Sequence, residues 1–283
     1  MKNVFIANSG ELAKEINRQI PHLNFNKIKQ ILRKKDIKIN GIRTNKSVIL
    51  KGGETIEVFY TLNEEKPKTV FEDQNVIIIF KPQGMECTLK DKVYLDKCVE
   101  EYFENCKCVH RLDRNTEGLL VLAKNENSYN ELLKIFKNRQ LHKYYKAICY
   151  GKFDKTENLL TGYATKTNEK TVISCSAQNG TFVKTYYKVE QKINKNLSLV
   201  NIELFTGFTH QIRAHLNTIG CFVLGDNKYG KTEINRKYNI KRQLLCCYKL
   251  VFEIKEGFLT YLNNITLTAN PTFDIEKLKK CEN

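Results

Sequence analysis

The sequence predicts an α+β chain in which a mainly antiparallel, mixed sheet with flanking helices follows a small α+β module. Three observations carry this. From Asn75 to about Leu267, short apolar runs rich in β-branched residues recur with few helical stretches between them. Residues 1–62 read differently, as basic helices followed by short strands. A polar stretch around Pro67 separates the two.

In the first module, Leu12, Ile16 and Ile20 fall at helical spacing. A second helix is expected over Asn26–Lys35, with Ile28, Ile31 and Leu32 on one face and Lys27, Lys29, Arg33 and Lys34 elsewhere. Asn24 or Asn26 is the expected cap. Ile37-Lys-Ile-Asn40-Gly41-Ile-Arg43 alternates into an Asn-Gly pair, a hairpin signal. Val48–Leu50 and Ile56–Phe59 are expected as strands around the Gly52-Gly53 turn. Residues 63–72 read as a linker and 73–283 as one larger domain. Its expected strands include Val76–Phe80, Leu119–Ala123, Tyr145–Tyr150, Thr181–Val189 and Leu197–Leu204. Helices are expected at Tyr129–Phe136 and His210–Asn217.

The 283 residues carry 47 Lys/Arg and 31 Asp/Glu, a net charge of +16. A chain this basic points to a polyanionic partner, above all nucleic acid. Residues 1–62 hold 12 Lys/Arg and 5 Asp/Glu, so 12 − 5 = +7 sits in under a quarter of the length. That concentration favours a dedicated binding module. No apolar run approaches a membrane span, and Met1–Phe5 lacks a signal-peptide core, so no membrane partner is expected. Ten cysteines contain no Cys-x-x-Cys pair, and Cys106/Cys108 and Cys246/Cys247 have the wrong spacing for zinc. Cys149, Cys175 and Cys221 read as small buried hydrophobes in a reducing cell. A cytoplasmic monomer without structural metal or disulfides is expected.

Five segments carry candidate chemistry. The first, Cys108–Lys124, sets Asp113 between Arg111 and Arg114, before a turn at Asn115–Gly118 and the apolar run Leu119–Ala123. Adjacent positive charge favours the ionised carboxylate, which suits nucleophilic or base chemistry. An Asp before Asn-Thr is also an ordinary turn residue. The second, Phe80-Lys81-Pro82-Gln83-Gly84, runs a strand into a turn. The third, Leu141–Gly151, puts Lys143, Tyr145 and Ala147 on one face of a strand. The fourth, Leu204–Leu216, turns at Gly207 into a helix capped by Thr206 or Thr209. On that helix Ile212 and Leu216 are i,i+4, and Arg213 is drawn inward if an acid waits there. The fifth is the loop Gly225-Asp226-Asn-Lys-Tyr229-Gly230.

Together "HRLDRNTEGLLVLAK", "KYYKA", "TGFTHQIRAHL" and "GDNKYG", in this order, resemble the RluA-type family of pseudouridine synthases over about residues 73–270. His110 favours this branch over the related RsuA-type branch, where Gly is usual. "INGIRTNKSVILKGGETIEV" resembles the S4 RNA-binding domain, with Glu54 where Asp is usual. The resemblance implies an isomerase that turns uridine in RNA into pseudouridine. The base is detached from the ribose at N1 and rejoined through C5, without cofactor or metal. A uridine within a helix must first be flipped out. The resemblance makes Asp113 the catalytic aspartate, as nucleophile or as base at the sugar. Tyr145 becomes the active-site tyrosine and Arg213 the partner of the aspartate. Expected RNA contacts are His110, Arg111, Arg114, Lys143, Thr209, His210 and Gln211, with Lys27, Lys29, Arg33 and Lys34 in the S4-like module. Large-subunit ribosomal RNA is the expected target. A transfer RNA-directed synthase and a non-catalytic RNA-binding protein of ribosome assembly are the alternatives. A thiol enzyme is disfavoured, because no cysteine sits in a Cys/His arrangement. Four departures from the family pattern stand out: Glu117 for Ser, Phe208 for Arg, Cys221-Phe222 for His-Pro and Cys246 for His.

Overall fold

The computed structural model describes residues 1–21, 23, 25–60, 65–88, 98–177 and 179–279. The chain divides into two units, one within Met1–Glu65, the other built from Lys66–Cys87 and Val99–Asn283. Asn24 and residues 61–64 of the expected linker region lie outside the described residues.

In the first unit, β1 (Lys2–Ile6) and β2 (Gly10–Glu11) precede α1 (Leu12–Gln19) and α2 (Phe25–Arg33). Then come β3 (Ile37–Ile39), β4 (Ile42–Thr44), β5 (Ile49–Leu50) and β6 (Thr55–Phe59). The sheet order is β1-β6-β3-β4, and β2 and β5 form a separate pair. Leu12, Ile16, Ile20, Ile28, Ile31 and Leu32 pack on Ile37, Ile56 and Val58, which fixes the helices on one face of the sheet. Asn40 and Gly41 both have positive φ, 48° and 82°, as a two-residue hairpin turn of this hand demands. The carboxylate of Glu54 accepts from the backbone N–H groups of Lys51 and Gly52, both at 2.8 Å, and closes the next turn. Three expectations are corrected. Asn26 lies inside α2, so it is not its cap. The helix stops at Arg33 because Lys35 turns left-handed (φ 58°), and the Asp36 N–H reaches back to the Ile31 carbonyl. The Val48–Leu50 strand pairs with β2 and not with β6.

The second unit starts earlier than expected. Lys68–Glu72, read as linker, forms β7 and pairs with β8 (Val76–Lys81). Further along are β9 (Lys107–Cys108), β10 (Glu117–Ala123), α3 (Glu126–Lys137), β11 (Leu141–Tyr150) and β12 (Glu157–Lys166). They are followed by β13 (Thr171–Ser174), β14 (Thr181–Lys192), β15 (Leu197–Leu204), α4 (Gln211–Thr218) and β16 (Phe222–Val223). The chain continues through α5 (Thr232–Lys237), β17 (Leu245–Phe252), β18 (Thr266–Thr268) and α6 (Ile275–Lys279). The main sheet runs β13-β12-β14-β15-β11-β17-β10-β8-β7, with β16, β18 and β9 attached at the side. Its pairings are antiparallel except for β10 beside β17. Every residue of β10 is buried, which is why its sequence from Leu119 on is an unbroken apolar run. Asn125 caps α3 and Ser128 returns the bond, a capping box that starts the helix over the core strands.

Candidate active site

Asp113 sits in the turn before β10, and that turn is fastened from three sides. The Thr116 N–H donates to the Asp113 carbonyl at 2.9 Å, and Gly84 N–H to the Arg114 carbonyl at 2.7 Å. Gln243 donates to the Thr116 hydroxyl at 2.5 Å. From below, the fully buried Lys81 ammonium donates to the carbonyls of Met85 (2.8 Å), Pro82 (2.9 Å) and Arg114 (3.2 Å). Burial pushes the Lys81 pKa down to about 8. At the other end of the turn, Gly118 (φ 119°) lies against β17 so closely that any Cβ would collide with the Cys247 backbone. Only glycine permits the parallel joint that brings Asp113 up to the sheet.

Arg213 enters from α4, pointing inward among Ile212 and Leu216. It donates from Nε to Asp226 Oδ2 at 2.6 Å and from Nη2 to Asp226 Oδ1 at 2.9 Å. Its remaining nitrogen, Nη1, donates to Asp113 Oδ2 at 2.8 Å. Burial alone would lower the guanidinium pKa. The bonds and charges of the two carboxylates outweigh burial and raise it. Asp226 is itself fully buried and also accepts from the Lys228 and Tyr229 N–H groups. The Tyr229 ring lies 5.0 Å from the guanidinium carbon. The start of α4 corrects an expectation: neither Thr206 nor Thr209 is the cap. His210 holds that position in the left-handed region (φ 57°), with no side-chain cap bond.

Asp113, Arg213, Tyr145, Lys143, His110 and Phe208 line one cavity of about 560 Å3. On β11, Tyr145 stands directly across from Cys247 on β17, next to a bulge. Burial, chiefly, holds the phenol pKa well above 10. Lys143 is pulled down by burial, and its ammonium lies 5.5 Å from the Phe136 ring centre. Phe208 supplies apolar wall where the family pattern has an arginine. Among the described residues no three His, Cys, Asp or Glu side chains gather as a metal site would require.

The expected RNA contacts divide. Arg111 and Arg114 are exposed beside Asp113, and Arg114 Nε donates to the Gly84 carbonyl at 2.9 Å. His210 lines the cavity with Nε2 3.9 Å from Asp113 Oδ2, and Thr209 lines it too. His110 is a packed wall residue. Its Nε2 accepts from the Val121 N–H at 3.0 Å, its ring stacks on Phe136, and burial drives its pKa down to about 3. Gln211 is a correction. Its carbonyl oxygen accepts from Thr206 and from the Phe208 N–H, and its amide donates to the Lys184 carbonyl and Thr185 hydroxyl. All its hydrogen-bonding capacity is spent inside the protein, so none is left for RNA. Lys29, Arg33 and Lys34 are exposed in the first unit and Lys27 is half-buried there.

Sequence reading missed Asp226, Lys81, Tyr229 and Cys247. A signal existed for the first: an arginine on a buried helix face requires an acid, and the Gly225–Gly230 loop offered one. Two departures from the family pattern meet in the core. Glu117 and Cys246 are cross-strand neighbours, and Glu117 accepts from Thr272 N–H at 2.8 Å and Thr272 hydroxyl at 2.5 Å.

The family model described as RNA pseudouridylate synthase matches residues 75–218. An uncharacterized RNA pseudouridine synthase of Mycoplasma genitalium is 33% identical, aligned over 73% of this chain and 70% of that protein. Ribosomal large subunit pseudouridine synthase C of Rickettsia conorii is 32% identical over 80% of this chain and 84% of its own. Among solved structures, human RNA pseudouridylate synthase domain containing 1 shares the fold, with TM-score 0.58 at 20% identity over 78% of this chain and 96% of that one. No helix among the described residues is long and apolar enough to cross a membrane.

Proposed function

The chain belongs to the RNA pseudouridylate synthase family and is an RNA pseudouridine synthase, and from that premise we propose that Asp113, Tyr145 and Arg213 carry its chemistry on uridines of large-subunit ribosomal RNA. One observation carries the reading. Asp113 gives only Oδ2 to Arg213, while its Oδ1 makes no hydrogen bond among the described residues and the residue lines the cavity. One oxygen is held by Arg213, and the other is left to meet the substrate.

The uridine leaves its helix and enters the cavity. Asp113 acts as an ionised carboxylate while the N1 glycosidic bond breaks and the C5 bond forms. Arg213 pairs with that carboxylate and aims it. Tyr145 stacks on the uracil and its neutral hydroxyl assists at the base. Exposed Arg111 and Arg114 hold phosphates at the rim, and His210, Thr209 and Lys143 contact the RNA within it. The first unit acts as an S4-like RNA-binding domain through Lys27, Lys29, Arg33 and Lys34. All three catalytic groups come from one chain, which supports action as a monomer, and the free cysteines suit the cytoplasm. The ribosomal target draws support from the Rickettsia relatives' name.

The test is Asp113→Asn on transcribed ribosomal RNA. Pseudouridine formation is expected to fall about 10³-fold or more, and turnover at the wild-type rate would remove Asp113 from the mechanism. Pseudouridine maps of ribosomal and transfer RNA, from cells with and without the gene, decide the target.

A further inference from the structure

We propose that a second cavity, which shares Arg213 with the first, binds a backbone phosphate of the RNA strand next to the reacting uridine, through Lys170 and Lys228. This rests on the reading that RNA uridine is the substrate. The cavity is open and polar, about 490 Å3, and is lined by Asn115, Lys170, Asp226, Asn227, Lys228 and Gln243 among others. It shares Arg213 with the catalytic cavity, so the two are adjoining rooms with one guanidinium between them.

Its charges favour an anion. The Asp226 carboxylate is matched by the Arg213 guanidinium, and its oxygens also accept from the Lys228 and Tyr229 N–H groups, so it is not left facing an anion unpaired. Lys170 and Lys228 are exposed and make no ion pair among the described residues. Asn115, the second residue after Asp113, is exposed there as well. Glu169 is the opposing charge on the lining.

The two cations also stand on a fixed frame. The Tyr229 hydroxyl accepts from the Thr171 N–H at 2.8 Å and donates to the Thr171 carbonyl at 3.1 Å. Both residues are buried, Tyr229 at 7% and Thr171 at 2% exposure. Lys170 precedes Thr171 and Lys228 precedes Tyr229, so this bolt sets the spacing between their backbones. The Lys170 ammonium lies 6.0 Å from the centre of the same Tyr229 ring whose neighbour is Arg213. An anion held between these lysines meets charge set on anchored backbone, in the cavity that Asn115 of the Asp113 turn also lines.

The test assays the full-length enzyme on an RNA substrate across a range of KCl concentrations. Lys170→Ala and Lys228→Ala are each expected to raise KM roughly 3- to 10-fold with kcat held. Each should also make the plot of log(kcat/KM) against log[salt] shallower by about 0.7, the loss of one single-strand phosphate contact. Glu169→Gln is expected to lower KM. Lys228→Arg should restore most of the KM lost in Lys228→Ala, which separates charge from folding. Alanine variants with wild-type KM and salt slope would overturn the phosphate site while leaving the role of Asp113 untouched. Loss of activity in Asp113→Asn bears on that role alone.

Discussion

Asp226 binds Arg213 along two of its nitrogens, at 2.6 and 2.9 Å, and so fixes which nitrogen remains for Asp113. The acid that touches no substrate thus aims the cation that touches the catalytic one. Removing one partner of a buried ion pair leaves an unpaired charge in a medium that solvates it poorly.

Asp226→Ala is therefore expected to destabilise the fold by about 3–5 kcal/mol, a drop of roughly 10 °C in Tm for a unit of this size. Thermal unfolding measures it. Arg213→Lys keeps the charge but cannot span Asp226 and Asp113 together. It should lower kcat more than it raises KM. A Tm for Asp226→Ala equal to wild type would show that Arg213 does not depend on this anchor.

His110 and His215 make the fold sensitive to acid. Burial pushes their pKa values down to about 3 and about 4, against 6.5 for an exposed imidazole, with the Lys143 charge adding at His110. The unfolded chain binds the extra protons first. Their contribution is fully present above about pH 6.5 and is lost as pH falls toward 4 and then 3. For His215 the loss amounts to about 3 kcal/mol. Urea titrations at pH 7 and pH 4 should show a smaller difference in His215→Gln than in wild type. An equal difference in both proteins would contradict this.

How much of this was written in the sequence depends on where each residue's partners lie. The Leu119–Ala123 part of β10 was legible because both its faces are buried and no polar position interrupts it. β7 was not, because its edge position leaves Lys68, Thr69 and Val70 in water, and exposed polar residues read as linker. β1 was missed for a related reason: Val4 and Ile6 are 54% and 61% exposed, so apolar residues on both faces erase the alternation of a half-buried strand. At the site, motif order located Asp113, Tyr145 and Arg213. The demand of Arg213 for an acid was also readable. That two acids share it was not, because nothing periodic links positions 113, 213 and 226. Gln211 shows the converse error. A polar residue in a substrate-facing motif looked like an RNA contact, yet the turn before α4 and strand β14 consume all four of its hydrogen bonds.

Lys81 gives the fold an alkaline signature of the same sense. Its pKa in the folded protein is about 8, below the ordinary 10.5, with burial as the main cause. Between those values the unfolded chain holds more protons, so stability rises with pH across that window. The gain expected from Lys81 is about 3 kcal/mol. In Lys81→Met this rise should disappear, and overall stability should fall because three carbonyls lose their shared donor. Chemical denaturation at pH 7.5 and pH 10 measures both, and a variant with the wild-type pH slope would exclude Lys81 as its source.

Tyr145 closes the catalytic cavity with a phenol that does not ionise in the working range. Burial, first, and then the neighbouring Cys247 and the Asp113 charge push its pKa well above 10. On the proposed mechanism its hydroxyl would therefore work as a neutral group beside Cys247, and its ring as a stacking surface. Tyr145→Phe keeps the ring and should lower kcat by about 10²-fold. Cys247→Ala removes only a weak partner and should cost less than about tenfold. Wild type and Tyr145→Phe should share one pH–rate profile shape between pH 6 and 10. If an alkaline rise seen in wild type vanished in Tyr145→Phe, the phenolate would be the working form and burial would not govern this residue.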